Sequence, residues 1–402
     1  MVKDGEKLIV RTPEQFKEIQ NIEVLTEHRV TRIDSEEKRM EVIDLKESYT
    51  RHLSFDKIVI ATGARSRRLH LPGSNGNNVF ALKSVQDGYD IRTFVDEKKP
   101  KRAIILGAGY ISLEMCEAFI ERGLETWIMY RGKLPASNLD PEISEMISKE
   151  IQDKGVQFVS NCHVASFTTD AAGNVTRVES DQGSYPTDLV LVALGVVPNV
   201  ELAQQTGVSL GNTGAVRVDP CQRTNFRDVF AGGDCCESFH LVSGEPVYAP
   251  LGDIANKQGR VAGENAAGGD TTFYGIVGSL AFKVFDLEVA LTGLSTKVAT
   301  AHGFDVETQI IQHQSRVGYM PGSKPMTVKL VFDRKTGRLL GGQMIGKEGV
   351  ARRINTLAVA LHQGMGVDEI ARLDFAYAPP FSPTFDPILI AAEQASKKVL
   401  KR

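Results

Sequence analysis

Two glycine-rich stretches carry the residues best able to do chemistry. RAIILGAGYISLEMCEAF places Gly107, Gly109 and Ser112 in a G-x-G-x-x-S pattern between an apolar strand and an amphipathic helix. Gly107 lets the chain turn sharply off the strand, and Gly109 lets the backbone approach a pyrophosphate. The helix that opens around Tyr110 and Ile111 offers free N–H groups and a positive dipole end. Ser112 stands where a third glycine is usual and is small enough for helix–strand packing. Strand, turn, helix and a second strand (TWIMY) follow at the right intervals, so the pattern reads as an NAD(P)-binding βαβ unit. The second strand ends at Tyr130-Arg131, without the Asp or Glu that would hold a ribose 2′-hydroxyl. Arg131 either pairs with a 2′-phosphate, favouring NADPH, or is a solvated loop cation.

The other stretch, VFAGGDCCESFH (229–240), runs a strand through Gly233 into Asp234 and two adjacent cysteines. A carboxylate at a strand end can accept from ligand hydroxyls, and the glycine pair leaves room for a ligand chain. Vicinal thiols can close only a strained eight-membered ring, so Cys235 and Cys236 are expected to be packing residues. Two further segments, FDKIVIATGA (55–64) and TDLVLVALG (187–195), share the form of an acid, an apolar strand, a small residue and a glycine. Their ends, Ala61-Thr62-Gly63 and Gly195, suit a chain turning beneath a bound dinucleotide.

The elements that must position these turns divide the chain. Residues 1–97 read as short strands (KLIV, IEVLTEHRVTRID, RMEVIDL, FDKIVIATG), closed by a polar stretch, DEKKPKR. Residues 98–215 read as a Rossmann-like unit, with a hairpin around DAAGN. Residues 216–275 return to the first unit, and 276–402 form an α+β module. The chain is 402 residues long, 42% hydrophobic and 24% charged, with net charge −3. Nothing in that balance suggests nucleic acid or a membrane as partner. Five cysteines without CxxC, and an opening MVKDGEKLIV without signal-peptide order, point to a reducing cytoplasm. The eight histidines show no metal-ligand spacing.

GAGYIS, the two strand–glycine segments and TNFRDVFAGGD, in this order, resemble the FAD- and NAD(P)-dependent pyridine nucleotide–disulfide oxidoreductases. The resemblance spans essentially the whole chain. It implies an α/β fold of two Rossmann-like dinucleotide-binding domains, the first incomplete, plus a C-terminal α+β dimerisation domain. GYMPGSKPMTVKLVFDRKTGRLLGGQMIG and LDFAYAPPFSPTFDP are most similar to the coenzyme A-disulfide reductase, persulfide reductase and NADH oxidase branch. The segment SPTFDP departs from the Ser-rich form often found there.

The resemblance assigns roles by position. Asp234 binds the FAD ribityl hydroxyl, and the helix start at Pro250-Leu251-Gly252 faces the flavin pyrimidine edge. A positive dipole end stabilises an anionic reduced flavin there, and Asp253 is expected to face away. Val30 contacts the FAD adenine through its backbone. Tyr110 is an aromatic gate over the flavin, and Glu114 an acid near the nicotinamide. Tyr319 and Tyr377 reach the active site of the partner subunit in a homodimer. The implied reaction is NAD(P)H-dependent reduction, through FAD, of a small disulfide or persulfide such as coenzyme A disulfide. NADH oxidase or peroxidase activity is one alternative, and a non-catalytic remnant that binds NAD(P) and dimerises is another. The family's first GxGxxG and its redox cysteine have no counterpart in the sequence, so a shortened FAD domain with weak flavin binding is expected.

Overall fold

Val79–Ala81, Leu189–Val192, Arg102–Leu106, Glu125–Met129 and Gln157–Val159 lie side by side in one parallel sheet. They belong to a computed structural model that describes residues 5–400. The sheet is covered by helices Val85–Lys98, Tyr110–Glu121 and Pro141–Asp153. Leu189–Val192 is buried at all four positions, the apolar run expected of a strand covered on both faces. A three-stranded antiparallel excursion, Val164–Thr169, Val175–Ser180 and Gly183–Pro186, contains the hairpin expected around DAAGN.

The edge strand Val79–Ala81 and the helix Val85–Lys98 lie N-terminal to residue 98, where this unit was expected to begin. The helix has an N-terminal capping box, Ser84 with Asp87, and a left-handed C-cap at Lys99. The polar run read as a crossing is therefore largely the solvated end of a helix. Two other readings need correction. KLIV is not a strand, since Gly5–Leu8 form a 3₁₀ turn, and Pro13–Gln20 form an α-helix with no buried residue. The strand read over IEVLTEHRVTRID begins only at His28.

His28–Asp34, Arg39–Asp44 and Tyr49–Ser54 make an antiparallel sheet. Beyond it, Ile58–Ile60 pairs in parallel with Val229–Ala231, which sets the loop at Thr62 beside the loop at Asp234. Ala64–Ser66 pairs antiparallel with Val196–Pro198 and joins the same loop to the one at Gly195. Two short pairings thus gather three turns that are far apart in sequence.

The C-terminal module is a five-stranded antiparallel sheet in the order Leu280–Val284, Leu287–Gly293, Leu339–Gly346, Pro325–Asp333, Val306–Gln314. One face buries Ala290, Met344 and Leu330 against helices Val350–His362 and Pro387–Ser396. The other face puts Val289, Phe282 and Ile345 into the same core as Leu113, Phe119 and Ile147 of the dinucleotide unit. Alternation along the strands sends successive side chains to these two cores.

Candidate active site

The turn after Arg102–Leu106 has the strain that its glycines were expected to relieve. Gly107 sits at φ +109, and a Cβ there would lie 2.4 Å from the Ala193 carbonyl oxygen. A Cβ on Gly109 would meet nothing within 4 Å, so that backbone is open to a ligand. The Tyr110–Glu121 helix starts without a side-chain cap, leaving its first N–H groups free for an anion. Ser112 is fully buried and its hydroxyl has no hydrogen-bond partner.

These groups open on a cleft of about 690 Å³ lined by Gly107, Gly109, Tyr130, Arg131 and Gly195, with Arg67 and His163 on its walls. No carboxylate lines it. Arg67 is held at the cleft by its backbone N–H, which donates to the Gly195 carbonyl at 2.9 Å. Neither Arg67 nor Arg131 forms an ion pair among the described residues, which leaves two cations facing the cleft.

Asp234 stands at a junction of the two halves. One oxygen, Oδ2, takes a 2.6 Å ion pair from Lys83, which follows the edge strand of the dinucleotide sheet. The other, Oδ1, is buried without a partner. Gly233, at φ +84, turns the chain ahead of it, and its N–H donates to Gln258 Oε1 at 3.0 Å. Gln258 also donates to the Glu237 carbonyl and Ser238 Oγ, so helix Gly252–Ala266 braces the whole loop. Tyr248 Oη donates to the Asp234 backbone carbonyl at 2.9 Å, and burial pushes its own hydroxyl well above the usual range. Thr62 Oγ1 donates to the Asn199 carbonyl at 2.6 Å, and Asn199 Nδ2 returns a bond to the Thr62 carbonyl, fixing the turn at Ala61-Thr62-Gly63.

Tyr110 is half-buried, its ring 6.4 Å from that of Phe282 on the C-terminal sheet. Burial raises its hydroxyl, with Lys83 opposing the rise and Glu114 and Asp234 adding to it. The charges of Lys83, Glu114 and Asp234 thus all act on the Tyr110 hydroxyl. Partial burial also raises the Glu114 carboxyl, against a backbone contact, with the charge of Glu117 adding to the rise.

The helix at Pro250-Leu251-Gly252 begins with Leu251 as an extended N-cap and no side-chain cap. Asp253 turns outward to Lys257 at 3.5 Å and is 62% exposed, facing away as expected. Val30 lies partly buried in the first antiparallel sheet against the core around Ile33 and Val216. Cys235 and Cys236 are buried in that same core as free thiols, their sulfurs 3.7 Å apart in a hydrogen bond rather than a disulfide. Tyr319 and Tyr377 are 76% and 48% exposed on loops of the C-terminal module, separate from the Asp234 group. Sequence reasoning missed Lys83, Tyr248, Gln258 and Asn199. Only the spacing of Gln258 along an amphipathic helix gave any local signal for them.

For FAD, the fit rests on the orphaned, buried Asp234 Oδ1 beside the open turn at Gly233. A hydroxyl donor would satisfy that oxygen. Asp234, the Thr62–Gly63 turn and the start of helix Gly252–Ala266 are the residues that would hold the group. Among the described residues, no cluster of His, Cys, Asp or Glu is placed to hold a metal ion. No described helix is long and apolar enough to cross a membrane.

A glycine-turn cleft on a parallel sheet, a second turn group meeting it at Asp234 and an α+β module packed on both define a two-dinucleotide oxidoreductase. Comparison with known proteins gives its family. The pattern described as "Pyridine nucleotide-disulphide oxidoreductase" matches residues 2–252, and the dimerisation domain of the same family matches residues 280–387. The chain belongs to this family. It is 32% identical to an NADH oxidase of Methanocaldococcus jannaschii, over 99% of this chain and 88% of that one. An NAD(P)H coenzyme A polysulfide/persulfide reductase of Pyrococcus horikoshii is 34% identical, over 96% of this chain and 85% of its own. Among solved structures, a NAD-dependent persulfide reductase from A. fulgidus superposes with a TM-score of 0.95 at 36% identity, covering 99% of this chain and 74% of that one.

Proposed function

We propose that the protein is an FAD-dependent NAD(P)H oxidoreductase that reduces a small disulfide or persulfide, with coenzyme A disulfide as a representative acceptor. For a disulfide the balance is NAD(P)H, a proton and RSSR giving NAD(P)⁺ and two RSH. The carrying observation is the Lys83–Asp234 ion pair, which ties the flavin-side loop to the residue that follows the edge strand of the dinucleotide sheet. One ion pair thereby links the two cofactor sides. Bound FAD supplies a hydride acceptor and a two-electron relay.

In this reading Gly107, Gly109 and Ile111 seat the pyrophosphate of NAD(P)H. Tyr130, Arg131 and Gly195 flank its adenosine side, and Ser112 packs beneath. Arg131 and Arg67, without a carboxylate near them, support NADPH over NADH. Tyr110 covers the flavin position until a nicotinamide displaces it, and Glu114 stands beside the nicotinamide. Pro250, Leu251 and Gly252 present uncapped N–H groups to the pyrimidine edge, Val30 meets the adenine, and Ala61, Thr62 and Gly63 turn beneath the FAD. Tyr319 and Tyr377 are exposed as residues that complete a partner's site must be, which supports a homodimer through the C-terminal module. Five free cysteines fit a cytoplasmic location.

Anaerobic titration of the flavin-containing protein with NADPH, followed by coenzyme A disulfide, tests the reading. Bleaching near the visible flavin band, recovery on adding the disulfide, and release of two thiols per NADPH are expected. Absence of a reducible flavin would overturn it. Oxidation of NAD(P)H by oxygen without thiol release would favour the oxidase that the Methanocaldococcus relative is named for.

A further inference from the structure

We infer that Arg353 is a positioning residue that locks together the two loops presenting Tyr319 and Tyr377 to the electron acceptor; this rests on the functional reading above. Arg353 lies in the first turn of helix Val350–His362, where the helix dipole disfavours a cation. Something outside the helix must therefore account for it. Its side chain is 14% exposed, and its guanidinium is divided among three segments outside the helix, with Nη1 also donating to the Gly349 carbonyl at 3.5 Å. Nε donates to Asp386 Oδ2 at 2.8 Å. Nη2 donates to the Ser315 carbonyl at 2.9 Å and the Phe381 carbonyl at 3.4 Å.

Each acceptor fixes the base of one loop. Ser315 closes the loop 315–324: its N–H donates to the Lys324 carbonyl at 2.7 Å, and its hydroxyl accepts from the Lys324 N–H at 3.1 Å. Tyr319 stands at the tip of that loop. Phe381 ends the turn that follows Tyr377, through N–H bonds from Phe381 and Ser382 to the Ala378 carbonyl. Asp386 caps helix Pro387–Ser396 by accepting from the Ile388 N–H at 2.9 Å, and Ser382 Oγ donates to its other oxygen at 3.2 Å. One planar fork thus ties the carbonyl at the root of each tyrosine loop to a fixed carboxylate. The two additional carbonyls belong to separate loops that carry the exposed tyrosines.

The test compares Arg353→Lys and Arg353→Met in the flavin-containing, full-length protein. A lysine keeps a charge for Asp386 but cannot reach both loop carbonyls with the same geometry. In Arg353→Lys, kcat/KM for coenzyme A disulfide is expected to fall on the order of 10–100-fold, through KM first, because the loops lose their shared alignment. Flavin reduction by NADPH should stay within about twofold, since that half-reaction lies elsewhere. Amide exchange should quicken together in 316–323 and 376–385, and Tyr377→Phe should cost little more in the Arg353→Lys background. Wild-type acceptor kinetics and wild-type exchange in Arg353→Lys would overturn the inference. So would quickened exchange in only one loop, or equal losses in both half-reactions that track a lowered Tm. If the wild-type protein reduces no disulfide or persulfide, the functional reading falls, while the exchange data still decide whether Arg353 braces both loops.

Discussion

Asp234 accepts Lys83 with one oxygen and leaves the other buried and empty-handed. An unsatisfied buried carboxylate oxygen is costly, and a hydroxyl donor removes that cost. Asp234→Ala is therefore expected to weaken FAD binding about 10–100-fold, the value of one hydrogen bond to a charged group. The flavin-to-protein absorbance ratio after gel filtration, with the dissociation constant from flavin fluorescence, measures it. Arg131→Glu should lower kcat/KM for NADPH by roughly tenfold or more and spare NADH, since only the 2′-phosphate carries the added charge. Equal effects on both nucleotides would assign Arg131 to the solvated loop. The carboxylate at the strand end, Asp234, stood out from the glycines ahead of it, whereas a role for Tyr110 came only from the family resemblance. Lys83 was not legible, because its partner lies 151 residues away and no local pattern marks a lysine after a short edge strand.

The fingerprint element was legible in detail, because tight turn, dipole and packing each require a residue type at a fixed step. Ser112 is the exception. Its hydroxyl is buried without a partner. Ser112→Ala should keep the helix–strand contact while removing that group, raising stability by about 1 kcal/mol. Chemical denaturation at constant m reads the change. Gly107→Ala should do the reverse, because φ +109 and the 2.4 Å approach to Ala193 leave a methyl no room. Loss of roughly 1–3 kcal/mol and of NADPH binding by calorimetry is expected. Helices Pro13–Gln20 and Val85–Lys98 were missed for a physical reason. The first buries nothing, and the second buries only Ile91 and Val95, so no apolar stripe announces either. Their capping boxes, Thr12 with Gln15 and Ser84 with Asp87, were the available signal.

At the scale of the molecule, the three domains hold together through shared cores and buried polar joints, which a sequence pattern cannot show. His240 is one joint. It is 5% exposed, bridges to Ile276 where the flavin-side segment passes into the C-terminal module, and accepts at Nδ1 from the Ser243 N–H. Burial holds its imidazole below the usual range. A folded-state value below the unfolded one means that protonation favours unfolding. This contribution is complete above pH ~6.5 and declines as pH falls below that value. The difference in Tm between wild type and His240→Gln should accordingly change between pH 7.5 and 5.5, and a constant difference would remove His240 from the acid response.

Lys329 is the stronger joint. It is 3% exposed on a central strand of the C-terminal sheet, with Asp140 at 3.0 Å and Glu142 at 2.7 Å, both at the start of helix Pro141–Asp153 of the dinucleotide unit. Asp140 also accepts from the Thr296 hydroxyl at 2.6 Å, and its N–H donates to Gln343 Oε1 at 2.8 Å. The network therefore pins the helix to three elements of the other domain. Lys329→Met leaves Asp140 buried without its cation and should destabilise by about 3–5 kcal/mol. Adding Asp140→Asn removes the orphaned charge while keeping an acceptor for Thr296, so the double variant should recover part of that loss. If the two losses simply add, the pair does not act as a unit, and the apolar core shared by the domains would alone fix the dinucleotide cleft relative to the C-terminal module.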